Sequence, residues 1–444
     1  MGLKKLLAQG IIWRSFYFFS VLLVNVFLSR YLRAGATGNL YFISIIFSFM
    51  QIALSLGGES GLTYFASANI LGRNKLLTVA AAWSIAAGAI MALLVHLFFL
   101  IAHSATAAEV NWYCLYGFAF VFGMSLGNYG SVIYYTRGNY YLPNILLSLV
   151  NILYVFVIPG KSFVVPDEGQ VQWITFLYFA TFAVGGLLVV VSYIILYRKE
   201  DKPGFPKGDA FRQLLKYSFT ALGASAIFFL VYRVDYLFVR YSPVCTPEDL
   251  GNYIQVSKIG QLMLTIPQII AVVVFPTTAS GANDNKLNNA LMVMSRIFSQ
   301  LFLLLFIGVA LLGKPFFTIV FGESFNKMQL PMLILIPGIF SLSVVTLLSA
   351  YFAGKGKVKI NLYAAIAGLI ITIIGDFIFV PKYGIIAAAL VSTISYIANT
   401  AFVMWFYYRD NPLHFSEFLK WRRSDYDWLF SMLKAVKPGQ RIKQ

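Results

Sequence analysis

Twelve apolar blocks, each long enough to cross a bilayer, follow one another along this sequence with little polar chain between them. They cover residues 11–29, 40–66, 77–101, 112–135, 142–160, 172–197, 214–239, 250–276, 290–312, 328–352, 358–380 and 384–408. About 20 apolar residues in a helix span the ~30 Å hydrocarbon layer. Inside that layer each backbone N–H and C=O must be satisfied within the protein, which restricts a chain of this pattern to helices. Of the 444 residues, 59% are apolar and 11% charged. Twelve spans consume about 240 residues, most of the apolar content, so no large domain outside the membrane fits. The expected fold class is an all-α polytopic membrane protein with twelve transmembrane helices.

Lys and Arg set the orientation. With the N-terminus cytoplasmic, the segments inside hold 23 basic residues and those outside hold 7. The positive-inside bias therefore places both termini in the cytoplasm. The same bias accounts for a formal net charge of +17 without nucleic acid as a partner. Lys4 and Lys5 ahead of an apolar run mimic a secretory signal, but Arg14 interrupts that run and no small-residue cleavage site follows, so the run reads as an uncleaved first span. Cys114 and Cys245 are too few for a disulfide framework or a cysteine metal site. No cofactor is expected.

The longest polar connection, RKEDKPGFPKGDAFRQ at 198–213, carries two prolines, two glycines and mixed charge, and reads as a cytoplasmic linker. Six blocks precede it and six follow. A faint repeat links the halves at a spacing of 210 to 213 residues. Arg30-Tyr31, Gly38-Asn39 and Tyr41 recur as Arg240-Tyr241, Gly251-Asn252 and Tyr253, and Tyr197-Arg198 recurs as Tyr408-Arg409. An even number of spans in each half gives both halves the same sense through the membrane. The expected organisation is a six-helix bundle at 1–197, the linker at 198–213, a parallel six-helix bundle at 214–408, and a central cleft between the bundles. Residues 409–444 form a basic tail. Phe415, Phe418, Leu419, Leu429, Phe430 and Leu433 approximate an apolar stripe there, as in an amphipathic helix lying on the cytoplasmic leaflet and its lipids.

The ordered set of segments resembles one family. FLSRYLRAGATGNLYFIS and SLGGESGLTYFASA carry the resemblance in the first half. LLKYSFTALGASAIFFLVYRVDYLFVRY, PEDLGNYIQVSKIGQLMLTIPQIIAVVVFP, FGESF with PMLILIPGIF, and KYGIIAAALVSTISY carry it in the second. The chain is similar over nearly all of 1–408 to the polysaccharide-biosynthesis (Wzx-type) flippases of the multidrug/oligosaccharidyl-lipid/polysaccharide exporter superfamily. The resemblance implies two bundles around a cationic cavity in a bacterial cytoplasmic membrane. It also implies movement of an isoprenyl-pyrophosphate-linked oligosaccharide from the cytoplasmic to the outer leaflet, for cell-surface polysaccharide synthesis. Glycosyltransferases and a polysaccharide polymerase are the protein partners such a role implies.

Seven ionisable residues fall inside the blocks: Arg14, Glu59, Arg233, Asp235, Lys258, Arg296 and Asp376. Charge at that depth is costly and marks function by default. Arg14 lies about one turn into the first span, and Glu59 sits at similar depth within Gly57-Gly58-Glu59-Ser60-Gly61, a glycine cluster that suggests a broken or close-packed helix end. These two can pair, as can Asp235 and Lys258. Arg233 has no acidic residue left over, because i,i+2 side chains diverge on a helix. Arg14, Arg233 and Lys258 are the expected substrate-binding cations. Glu59, Asp235 and Asp376 are the expected charge-pairing groups, each able to take up a coupling H⁺ or Na⁺. Arg296, near the end of its span, is expected to snorkel to the headgroups. Pro267, Pro337, Gly368 and Gly375 inside spans suit kinked helices.

Other chemistries fit less well. GKGK at 354–357 lacks the spacing of a phosphate-binding loop. His96 stands alone in its span, and acids are scattered over the outer loops, against an integral-membrane transferase. A cation-coupled drug or metabolite antiporter of the same superfamily predicts a more acidic cavity, whereas basic intramembrane residues here number four against three acidic.

Overall fold

A computed structural model describes residues 3–67, 69–103, 106–158, 167–197, 199, 202–206, 208–279, 284–411 and 420–426. Thirteen α-helices and no strand occur among them. They are α1 (Leu3–Ser55), α2 (Gly58–Ser67), α3 (Arg73–Ala102), α4 (Ala107–Tyr135), α5 (Tyr141–Val157), α6 (Glu168–Tyr197), α7 (Asp209–Arg233), α8 (Asp235–Arg240), α9 (Pro247–Met263), α10 (Thr265–Ala279), α11 (Asp284–Phe321), α12 (Gln329–Gly354) and α13 (Val358–Asp410).

Each of the twelve apolar blocks is a helix, one arm of a bent helix, or a broken pair. The 53-residue α1 turns at Arg33 (φ 61°, ψ 175°), and the 53-residue α13 turns at Gly384 (φ 60°, ψ −141°), so each supplies two arms. The blocks starting at 40, 214 and 250 are interrupted, as α1 followed by α2, α7 by α8, and α9 by α10. The expected polar connection around 30–39 is thus helical except at Arg33. Among the described residues, seven helices are long and apolar enough by themselves to cross a membrane.

Local chemistry fixes where several helices start. Thr106 and Glu109 form a capping box: the Glu109 N–H donates to Thr106 Oγ1 at 3.3 Å and the Thr106 N–H to Glu109 Oε2 at 2.8 Å. Thr246 and Asp249 repeat the arrangement before α9, and Asp167 with Gln170 does so before α6. Many large apolar side chains face outward. Phe156 is 81% exposed, Ile101 79%, Leu311 75% and Phe377 72%. Such side chains need hydrocarbon around them rather than water. The chain is a multi-pass membrane protein.

The protein divides into two compact units. The first comprises Met1–Tyr236, Thr246–Asn252 and Thr318–Phe325; the second comprises Leu237–Cys245, Tyr253–Phe317 and Asn326–Gln444. The first is cored by Phe47, Phe120 and Phe179 at one level and by Leu76, Tyr129 and Tyr193 at another. In the second, α12 and α13 are zipped by hydroxyls. Ser341 and Thr400 oxygens lie 2.5 Å apart, and Thr393 donates to the carbonyl of Ile334, three residues before Pro337. Such bonds re-satisfy backbone loosened by a proline inside a span.

Candidate functional site

Within the first unit, the site is built around a helix break. α1 stops at Ser55, Leu56 and Gly57 adopt φ of 50° and 70°, and α2 starts at Gly58. A Cβ on Gly57 would lie 2.0 Å from the carbonyl oxygen of Ser218 on α7, and one on Gly61 would lie 2.1 Å from Ser218 Oγ. The glycines expected to mark a broken or close-packed end do both. They let α7 cross at backbone contact, and they restart the chain so that Glu59 sits in the first turn of α2. There the helix dipole favours its negative charge.

The Glu59 side chain is exposed, and its Oε1 accepts from Asn128 Nδ2 of α4 at 2.7 Å. Arg14 of α1 is close enough for its charge to act on Glu59. The two nonetheless form no ion pair within 4.0 Å. Arg14 rests instead on an aromatic ring, with its Cζ 4.9 Å from the Tyr135 centroid. No hydrogen bond holds its guanidinium among the described residues. The Tyr135 hydroxyl is fixed by Asn144, which donates to it at 3.0 Å and is 1% exposed.

Arg233 and Asp235 flank a second break. α7 ends at Arg233, α8 begins at Asp235, and Val234 lies between them. Asp235 is 1% exposed and accepts from the Tyr236 N–H at 3.0 Å. Arg233 is half-buried, donates to the Tyr236 hydroxyl at 2.9 Å, and lies 5.4 Å from that ring's centroid. In the second unit, Lys258 is half-buried on α9 and Asp376 is fully buried on the first arm of α13.

Arg296 departs from expectation. It is 2% exposed, with Nε 2.8 Å from Asp425 Oδ2 and Nη2 2.6 Å from Asp425 Oδ1. It does not snorkel, because a carboxylate from the tail reaches it. Trp421 donates to Ser299 Oγ at 3.0 Å, and Tyr426 bonds Gln300. Residues 423–426 form one helical turn. The expected amphipathic stripe, at 415–419 and 429–433, lies outside the described residues.

Asn128, Tyr135, Asn144 and Tyr236 were not singled out from sequence. A search for charge passes over them, although an asparagine inside an apolar block was a signal. Among the described residues no group of acids, histidines and cysteines is arranged to hold a metal ion.

This geometry can be set beside known proteins. Residues 173–330 match one family model, described as polysaccharide biosynthesis protein. The resemblance read from the sequence motifs is thereby borne out. Among solved structures, the inward closed conformation of the lipid II flippase MurJ superposes with a TM-score of 0.66 at 18% identity, covering 97% of this chain and 94% of that one. An inward-facing multidrug resistance MATE family transporter of the MOP superfamily gives 0.65 at 16% identity, covering 87% and 94%. A Vibrio cholerae MATE transporter gives 0.63 at 14% identity, covering 93% and 99%. The fold is that of these transporters and flippases. No curated protein matches the sequence.

Proposed function

We propose that this protein is a flippase that carries an isoprenyl-pyrophosphate-linked oligosaccharide from the cytoplasmic to the outer leaflet by alternating access, for cell-surface polysaccharide synthesis. The observation that carries the reading is Arg14, a span-borne guanidinium seated on a tyrosine ring with no protein carboxylate within 4.0 Å and no hydrogen bond among the described residues. A pyrophosphate supplies what it lacks, since the planar fork of arginine donates in pairs to phosphate oxygens. Arg233 and Lys258 are the further cations of the path. Glu59, Asp235 and Asp376 balance these charges and take up a coupling H⁺ or Na⁺. Loading is an exchange in which phosphate displaces Glu59 as the charge nearest Arg14. The protein acts in a bacterial cytoplasmic membrane with both termini inside, alongside the glycosyltransferases that build the glycan and the polymerase that extends it.

The test is complementation of a flippase-deficient strain. Wild type restores surface glycan, whereas Arg14→Ala and Arg233→Ala at normal protein levels do not, and Arg233→Lys recovers part. Wild-type export by both alanine variants would sink the reading.

A further inference from the structure

The turn between α4 and α5 places three tyrosines beside the start of α1. Gly138 (φ 72°) reverses the chain, the Gly138 N–H donates to the Tyr135 carbonyl at 2.8 Å, and the Asn139 N–H donates to the Tyr134 carbonyl at 3.1 Å. This tight reversal stacks Tyr135 on Tyr140, with centroids 4.8 Å apart and planes at 16°. Tyr141 follows as the first residue of α5 and is 47% exposed.

The facing stripe of α1 is Gly10, Trp13 and Arg14, spaced i, i+3, i+4 and so on one side of the helix. Each meets one tyrosine. A Cβ on Gly10 would lie 3.5 Å from the Tyr140 ring, the Trp13 and Tyr141 centroids are 4.6 Å apart edge to face at 80°, and Arg14 sits over Tyr135. Asn144 also donates to the Tyr140 carbonyl at 2.7 Å, tying the tyrosine pair to α5. The result is a guanidinium held by a ring, with an oriented and exposed tyrosine as near neighbour.

We infer that this cluster is a headgroup subsite in which Arg14 takes a phosphate oxygen and Tyr141 offers its ring to the first sugar. The inference rests on the proposed substrate and adds how its glycan is recognised. In a glycosyl pyrophosphate the first sugar is bonded directly to the phosphate, so a receptor for both needs an anion ligand and a flat apolar surface side by side. A pyranose presents C–H groups on one face, and these pack on the negatively charged face of an aromatic ring. Tyr135 is the positioning residue: its ring fixes Arg14 by cation–π attraction and leaves the in-plane N–H groups free to donate. Trp13 sets the orientation of Tyr141. An ordinary belt of interfacial aromatics would make no distinction between a bare and a glycosylated lipid.

The test is isothermal titration of the purified full-length protein in detergent with two probes, farnesyl pyrophosphate and farnesyl pyrophosphate bearing one N-acetylglucosamine. Wild type should bind the glycosylated probe about tenfold more tightly, the scale of one aromatic contact. Tyr141→Ala should erase that increment and leave farnesyl pyrophosphate binding intact, while Tyr141→Trp should keep it. Arg14→Ala and Tyr135→Leu should weaken both probes, and Tyr135→Phe should restore them. An increment that survives Tyr141→Ala would overturn the sugar platform while leaving the lipid-pyrophosphate reading standing. Equal binding of the bare probe by wild type and Arg14→Ala would overturn the anion ligand. Failure of wild type to bind either probe would remove the substrate assignment itself.

Discussion

Arg296 grips both carboxylate oxygens of Asp425, at 2.8 and 2.6 Å, across 129 residues of sequence, and both side chains are all but sealed from solvent. Removing one partner of such a pair strands a buried charge, at a cost of about 3–5 kcal/mol. Arg296→Ala and Asp425→Ala should each lower the thermal midpoint of the detergent-solubilised protein by several degrees. Arg296→Met with Asp425→Leu together should lose less than either single change. A near-silent Arg296→Ala, as snorkelling would give, is the outcome that contradicts the buried pair.

At the α1–α2 break the expectation is steric. Gly57→Ala combines a left-handed backbone with a Cβ 2.0 Å from a carbonyl oxygen. Overpacking of this kind costs about 1–3 kcal/mol, and the positive φ adds to it. Gly61→Val should behave likewise. Gly223 on α7 has nothing within 4 Å of its would-be Cβ. Gly223→Ala should therefore be neutral or stabilising by up to ~1 kcal/mol. Thermal unfolding of the three variants reads the contrast directly.

The repeat-related glycines meet. A Cβ on Gly38 would lie 2.7 Å from the Gly251 nitrogen, and one on Gly251 would lie 2.0 Å from the Ala34 carbonyl oxygen. If transport proceeds by alternating access, the helices α1 and α9 part here once in each cycle. In a background lacking Cys114 and Cys245, Gly35→Cys with Pro247→Cys on the same two helices, whose β-carbons would lie 3.8 Å apart, should cross-link under mild oxidation and arrest glycan export, and reduction should restore it. Full export with the cross-link formed would show that these helices stay together throughout.

Orientation is open to direct labelling. Gly204, exempt from packing with nothing within 4 Å of its would-be Cβ, lies in the basic connection between α6 and α7. A Gly204→Cys variant in the same background should resist a membrane-impermeant thiol reagent in intact cells and react once they are opened. Ready labelling of intact cells would reverse the assigned topology.

The sequence alone determined the twelve helical blocks and the broken end at Gly57, because each is a local consequence. Apolar length, the bilayer's lack of backbone partners and the conformational freedom of glycine act over a few residues. It also located the span-borne charges, but not what they touch. Whether Arg14 meets Glu59 or Tyr135, and whether Arg296 meets water or Asp425, depends on which distant helix faces bring to one place. A guanidinium accepts a carboxylate, a hydroxyl or a ring at similar cost. Only the packing of α1 on the α4–α5 turn, and of residues 420–426 on α11, selects among them.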